Sequence, residues 1–306
     1  MFYTKFLAFF QQFLSTKAKK KSEGIILTIA IASFLIHLVI IFLVDFDIIH
    51  LNTPSDLLAN PIVAIYTPFS FILLYEVYLL IYYLPKSFTT YISKQYEIMT
   101  LIVIRRLFKD FSALSLTSDW FSSKYDLQFT YDLASSLILF FLIYLFYIQS
   151  KKQFQEPRLN PSQQIAINRF IEIKKIIATF LVPIFLILAI YSLTSWILGV
   201  INPGGNGVNS FVNINNIFFE HFFTVLIFAD VLLLLYSFFI ADDFHKVMRN
   251  SGFIISTILI RLSFSNVGLL NNLLIICAII YGLFILIIHN KYQKFLVQER
   301  VKSTKS

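Results

Sequence analysis

Residues 25–44 read IILTIAIASFLIHLVIIFLV, twenty positions with no charge, one histidine and two hydroxyl groups. At about 1.5 Å of rise per residue, a helix of this length spans roughly 30 Å, the thickness of a bilayer's hydrocarbon core. Its apolar residues fall on every side instead of alternating with polar ones. A barrel strand would alternate, so the stretch reads as a membrane helix and not as a strand.

The pattern recurs outward from this stretch. Apolar runs follow near 61–84, 97–116, 130–149, 173–199, 218–240, 252–267 and 270–289. The third is interrupted by Arg105, Arg106, Lys109 and Asp110, and the seventh is short with Arg261 near its middle. With 58% hydrophobic residues in 306 and a mean hydropathy of +0.75, the chain carries more apolar surface than a soluble domain of its size can bury. The expected fold class is an all-α integral membrane protein of about eight transmembrane helices. Before them, Phe2, Phe6, Phe9, Phe10 and Phe13 recur at helical spacing opposite Thr4, Gln11, Gln12 and Ser15, which predicts an amphipathic interfacial helix. The basic cluster Lys17, Lys19, Lys20 and Lys21 has no small-residue cleavage site after it, so the first span is expected to be retained.

Charge sets the expected orientation. Of 25 Lys and Arg, three (Arg105, Arg106, Arg261) lie deep within runs and two (Lys109, toward the end of the third run, and Lys124) on the side opposite the N-terminus, leaving twenty on the N-terminal side if the count is eight, Lys174 and Lys175 at the start of the fifth run among them. The positive-inside rule makes that side cytoplasmic, with both termini inside a plasma (inner) membrane. The net charge of +8 is thereby accounted for by topology, and no nucleic-acid partner is expected. Anionic lipid at the cytoplasmic face is the expected partner, with a protein partner or a second copy of the chain as alternatives.

The chain also repeats itself. Leu73-Leu74-Tyr75-Glu76-Val77-Tyr78 resembles Ile227-Phe228-Ala229-Asp230-Val231-Leu232, and Thr100-Leu101-Ile102-Val103-Ile104-Arg105 resembles Ser256-Thr257-Ile258-Leu259-Ile260-Arg261. Ala32-Ser33-Phe34-Leu35-Ile36-His37 and Ala178-Thr179-Phe180-Leu181-Val182-Pro183 make a third match in the same order. Duplication of a four-helix unit follows, with the halves parallel and related by a pseudo-twofold axis along the membrane normal. The organisation expected is a cytoplasmic amphipathic and basic segment (1–22), a first repeat (23–150), a linker (151–171), a second repeat (172–290) and a basic tail (291–306).

Ionisable groups inside a bilayer cost at least about 2.5–3.5 kcal/mol each and therefore face a bundle interior with a partner. Measured from the apolar boundaries, Glu76 and Arg105 stand at equal depth on consecutive helices, as do Asp230 and Arg261, which predicts one acid–arginine pair in each half. Such pairs either fix helix register or line an ion pathway. Arg106, His37 and His221 are weaker candidates, the histidines as hydrogen-bonded packing groups or proton relays. Pro68 and Pro183 are expected to kink their helices and Pro85 to end one. Asp242-Asp243-Phe244-His245 has metal-ligand residue types without a second cluster, so no metal site is expected.

Catalysis has no signature here. A Walker loop, His-Glu-x-x-His and Gly-x-Ser-x-Gly are all missing from a sequence with eight glycines, and the single Cys277 excludes an internal disulfide. No enzyme activity and no cofactor are expected. Permeation or transport of a small ion through the charged interior is the leading expectation, and a structural or accessory subunit of a membrane complex is the competing one.

Overall fold

The computed structural model describes residues 12–48, 58, 61–111, 124–152, 161–201, 210–240, 244–266 and 268–303. Among them the chain is all helix with no strand. The helices are α1 (Thr16–Asp45), α2 (Tyr66–Tyr83), α3 (Phe88–Phe111), α4 (Lys124–Ser150), α5 (Pro161–Ile201), α6 (Ser210–Ile240), α7 (Phe244–Phe264) and α8 (Leu269–Ser303), with a 3-10 turn at Pro61–Ile65 before α2. Each of the eight apolar runs falls on one helix. Five helices, α1, α4, α5, α6 and α8, are long and apolar enough to cross a membrane, and α2 carries a shorter apolar stretch at Thr67–Tyr83.

Local chemistry sets several boundaries. The Ser15 side chain accepts a hydrogen bond from the Ala18 amide at 3.1 Å and caps α1. Gly268 takes φ +73°, the left-handed conformation that lets the chain reverse between α7 and α8. Pro85 follows the end of α2 as expected, but Pro68 does not kink it. It sits in the helix's first turn, where its missing amide has no partner to lose. Pro183 lies inside α5. Residues 2–11 of the expected amphipathic helix lie outside the described residues, while Phe13 is exposed and its carbonyl accepts from the Tyr78 hydroxyl.

Two boundaries differ from the hydropathy reading in the same way. α3 begins at Phe88 instead of near 97, and α7 at Phe244 instead of near 252. Lys94, Gln95, Lys246, Arg249 and Asn250 look like loop on a hydropathy scale, yet all lie in helix. Gln95 and Arg249 are tied to neighbouring helices by hydrogen bonds, and Lys94 bridges Glu97 one turn on along α3 itself. α5 likewise starts at Pro161, inside the expected linker, and α8 runs on to Ser303 through the basic tail.

Each helix packs against its neighbours in sequence from α1 to α4 and again from α5 to α8, and the two sets meet chiefly through α4 against α8. α4 and α8 run in the same direction. Near their N-terminal ends Asn272 Nδ2 donates to Asp132 Oδ1 at 2.6 Å, and near their C-terminal ends Asn290 Nδ2 donates to the Gln149 carbonyl at 2.9 Å. A single core joins both sets, with Tyr96 edge-on to Phe146 at 5.0 Å and Phe146 against Phe253 at 6.0 Å.

Around this apolar core, the outer surface is also apolar, unlike that of a soluble bundle. On α7 the exposed stripe is Phe244, Met248, Ile255, Ile258 and Leu262, while Asn250, Ser256, Thr257 and Ser263 are buried. α4 repeats this, exposing Leu137, Phe140, Phe141 and Tyr144 while burying Asp126, Asp132, Ser135 and Ser136. Apolar residues outside and hydrogen-bonded polar residues inside suit a surrounding of hydrocarbon, where polar groups find partners only within the protein.

Candidate functional site

Two polar networks lie inside the bundle. The first centres on Asp230 of α6, which is 1% exposed. Gln95 Nε2 of α3 donates to its Oδ2 at 3.4 Å, and the Thr257 hydroxyl of α7 donates to Gln95 Oε1 at 2.8 Å. Asp230 Oδ1 has no hydrogen-bond partner among the described residues. The Tyr91 hydroxyl of α3, also 1% exposed, neighbours the same carboxylate and Gln95 but likewise completes no hydrogen bond of normal length and angle among the described residues. The positive charge closest in effect is Lys174 of α5, itself buried. Its ammonium donates to the Lys86 carbonyl at 2.9 Å and lies over the Phe88 and Phe170 rings at 4.1 and 4.8 Å. One turn further along α3, Tyr96 Oη hydrogen-bonds Ser256 Oγ at 2.7 Å, and Ser256 bonds the Ala278 carbonyl of α8 at 2.7 Å. The Tyr96 ring passes directly over Gly282, where an added Cβ would stand 1.8 Å from its hydroxyl.

The second network ties the far end of α3 to the starts of α4 and α8. Arg106 donates from Nε to Asp132 Oδ2, from Nη1 to Asn271 at 2.9 Å, and from Nη2 to Asn272 and to Asp132 Oδ1 at 3.0 Å. Gln128 donates to the same carboxylate at 2.8 Å, and Asn271 Nδ2 donates to the Ser263 carbonyl of α7 at 2.6 Å. This network is closed, since both Asp132 oxygens and every guanidinium nitrogen of Arg106 are bonded.

The acid–arginine pairs expected from sequence are not what the structure brings together. Among the described residues no hydrogen bond or ion pair joins Glu76 to Arg105 or Asp230 to Arg261. The physical reason is the early start of α3 and α7. Glu76 stands seven residues before the end of α2, about 10 Å, whereas Arg105 stands seventeen residues after the start of α3, about 26 Å. Arg261 is likewise seventeen residues into α7, about 26 Å, against about 15 Å for Asp230 from the end of α6. Arg261 instead donates from Nε to the Thr224 hydroxyl at 3.0 Å, six residues before Asp230 on α6. Arg105 is buried toward the same end of α3 as Arg106. The charges around Glu76 are Lys94, Glu97, Lys19 and Glu23, with Lys94 bridging Glu97 at 2.5 Å.

No protein-family model, curated protein or solved structure matches this chain.

Of the weaker candidates, Arg106 is the hub of the second network and His37 Nδ1 pairs with the Thr67 hydroxyl at 2.5 Å, a bond that holds α1 to α2. His221 is exposed on α6. His245 stacks on His289 at 5.1 Å and on Tyr292 at 5.2 Å. Arg249 can only donate, so His289 Nε2 must accept from it at 3.1 Å, which leaves Nδ1 to donate to the His245 carbonyl at 3.2 Å. No group of three potential metal ligands occurs among the described residues. Sequence reasoning missed Gln95, Tyr91, Lys174, Asp132, Asn271 and Asn272. Two signals pointed to the last three: Gln128 and Asp132 share one helix face at i,i+4, and adjacent amides open an otherwise apolar run.

Proposed function

We propose that this chain crosses the plasma membrane eight times, with both termini cytoplasmic, and moves a small ion past Asp230, without enzymatic activity. The observation that carries this reading is a carboxylate sealed between helices of both halves, with one oxygen lacking a hydrogen bond. A buried unsatisfied acid is costly, and inside a membrane such groups mark ion and proton pathways.

The eight-crossing layout is supported by the interior placement of α3 and α7. Their charges have polar partners on neighbouring helices, so low overall hydropathy does not keep them out of the bilayer. Duplication is supported by three correspondences. α3 and α7 both begin with a phenylalanine and carry an arginine seventeen residues on. The packing order of helices is the same in both sets. The equivalent helices α4 and α8 run parallel, as parallel repeats require and inverted ones do not. The side bearing Lys86, Lys174, Arg249 and Lys291 is then cytoplasmic. Lysines on that side and on α1 are placed to meet anionic lipid.

The closed Arg106–Asp132 network favours a second reading, a structural or accessory subunit whose polar interior only holds the bundle together. Ion flux into proteoliposomes separates the two. Transport predicts wild-type flux above that of empty vesicles and loss of it with Asp230→Asn; wild-type flux at the empty-vesicle level for every small ion tested would refute it.

A further inference from the structure

Resting on the transport reading, we infer that the ion is a proton and that Asp230 binds it, with Tyr91 as its hydrogen-bonding partner. The alternative ligand of a buried carboxylate is a metal cation, which needs several converging oxygens, six to eight of them for a calcium ion. This pocket does not supply them. Gln95 Oε1 is taken by the Thr257 hydroxyl at 2.8 Å, and Gln95 turns its amide nitrogen, a donor, toward Asp230. What remains is Asp230 Oδ1 and the Tyr91 hydroxyl, two oxygens without partners at one place.

Those two atoms suit both states of a proton carrier. A carboxylate accepts only, whereas a carboxylic acid must donate. A hydroxyl does either, so Tyr91 Oη can donate to Asp230 when it is charged and accept from it once a proton has been added to Oδ1. The reaction is proton transfer from hydronium: one of its O–H bonds breaks as an O–H bond forms at Asp230 Oδ1, leaving water, and the reverse step returns the proton to water as hydronium. The groups facing Asp230 from the neighbouring helices are few. From α5, Lys174 is held near Asp230 by the Lys86 carbonyl and two aromatic rings. From α7, Arg249 acts on Lys174 as a like charge, and Arg261 donates to Thr224. From α3, Tyr91 and Gln95 are neutral. A fixed ammonium opposes any added positive charge, proton or metal ion alike, and compensates the carboxylate once its proton has departed.

The test reconstitutes the full chain in proteoliposomes with a trapped pH dye and a potassium diffusion potential, and records infrared spectra of the same vesicles across pH. Expected results are proton flux indifferent to replacing sodium by choline, its loss in Asp230→Asn, and its retention in Asp230→Glu. Tyr91→Phe should slow it about tenfold, the effect of one lost hydrogen bond on a barrier. A carboxylic C=O band should appear in the wild type as pH falls and be missing from Asp230→Asn. Flux that follows sodium or potassium and ignores the pH gradient overturns the inference, as does a carboxyl band unchanged by Asp230→Asn. A wild type that passes no ion at all overturns the transport reading instead, and the band, which needs no flux, then still decides whether Asp230 takes a proton.

Discussion

Asp132→Asn is the substitution whose effect can be worked most directly from the geometry. The carboxylate is fully buried and accepts four hydrogen bonds, two from Arg106, one from Gln128 at 2.8 Å and one from Asn272 at 2.6 Å. Polar contacts between membrane helices average about 0.6 kcal/mol each in double-mutant cycles, so four give roughly 2.4 kcal/mol. Removing one partner of a buried ion pair costs about 3–5 kcal/mol in proteins generally. Arg106 keeps a quarter of its side chain exposed, so water screens the charge left behind and the lower end applies. A loss of about 2–3 kcal/mol, or roughly 5 °C in Tm for a chain of this size, is expected. Asn290→Ala is the comparison, because it removes one neutral hydrogen bond between α8 and α4, to the Gln149 carbonyl at 2.9 Å; a loss of about 1 kcal/mol is expected there. Thermal unfolding in detergent, followed by circular dichroism, measures both. If Asp132→Asn unfolds within experimental error of wild type, or if Asn290→Ala is the more damaging change, the closed network is not what holds α3, α4 and α8 together.

Gly282→Ala should destabilise the bundle by about 1–3 kcal/mol, since its Cβ would collide with the Tyr96 hydroxyl; adding Tyr96→Phe removes the colliding oxygen and should restore part of the loss, measured by the same unfolding assay. Gly252→Ala would bring its Cβ to 2.7–2.9 Å from three carbons of Ile285, both γ carbons among them, and a β-branched side chain is stiff at χ1, so it too should cost about 1–3 kcal/mol. Phe146→Ala leaves a cavity between Tyr96 and Phe253. It should lower Tm, but by less than the roughly 3–5 kcal/mol typical of soluble cores, because lipid is as apolar as the site it leaves.

The helices themselves were legible in the sequence. Long apolar runs leave a chain in hydrocarbon no other way to satisfy its backbone, and each run became a helix. Helix ends were less legible where polar residues are buried. Lys94 and Gln95 look like the loop before a span, but Lys94 is bridged to Glu97 along the same helix and Gln95 is buried and bonded to Thr257 and Asp230. That misplacement propagated to the site, because depths counted from the wrong boundary put Arg105 level with Glu76 and Arg261 level with Asp230. Asp230 and Arg106 were visible as charges in apolar surroundings. Their partners Gln95, Asn271 and Asn272 are neutral amides, whose role depends on the face they occupy, and hydropathy does not report faces.

The transport reading rests on α3 and α7 crossing the membrane despite their charges. Single cysteines in a Cys277→Ser background, treated with a membrane-impermeant maleimide on intact cells and on inverted vesicles, test this directly. The account predicts labelling of Ser87→Cys and Asp243→Cys from the cytoplasmic side only, and of Ser112→Cys and Asn266→Cys from the outside only. Labelling of all four from one side would mean that neither helix crosses, and would contradict it.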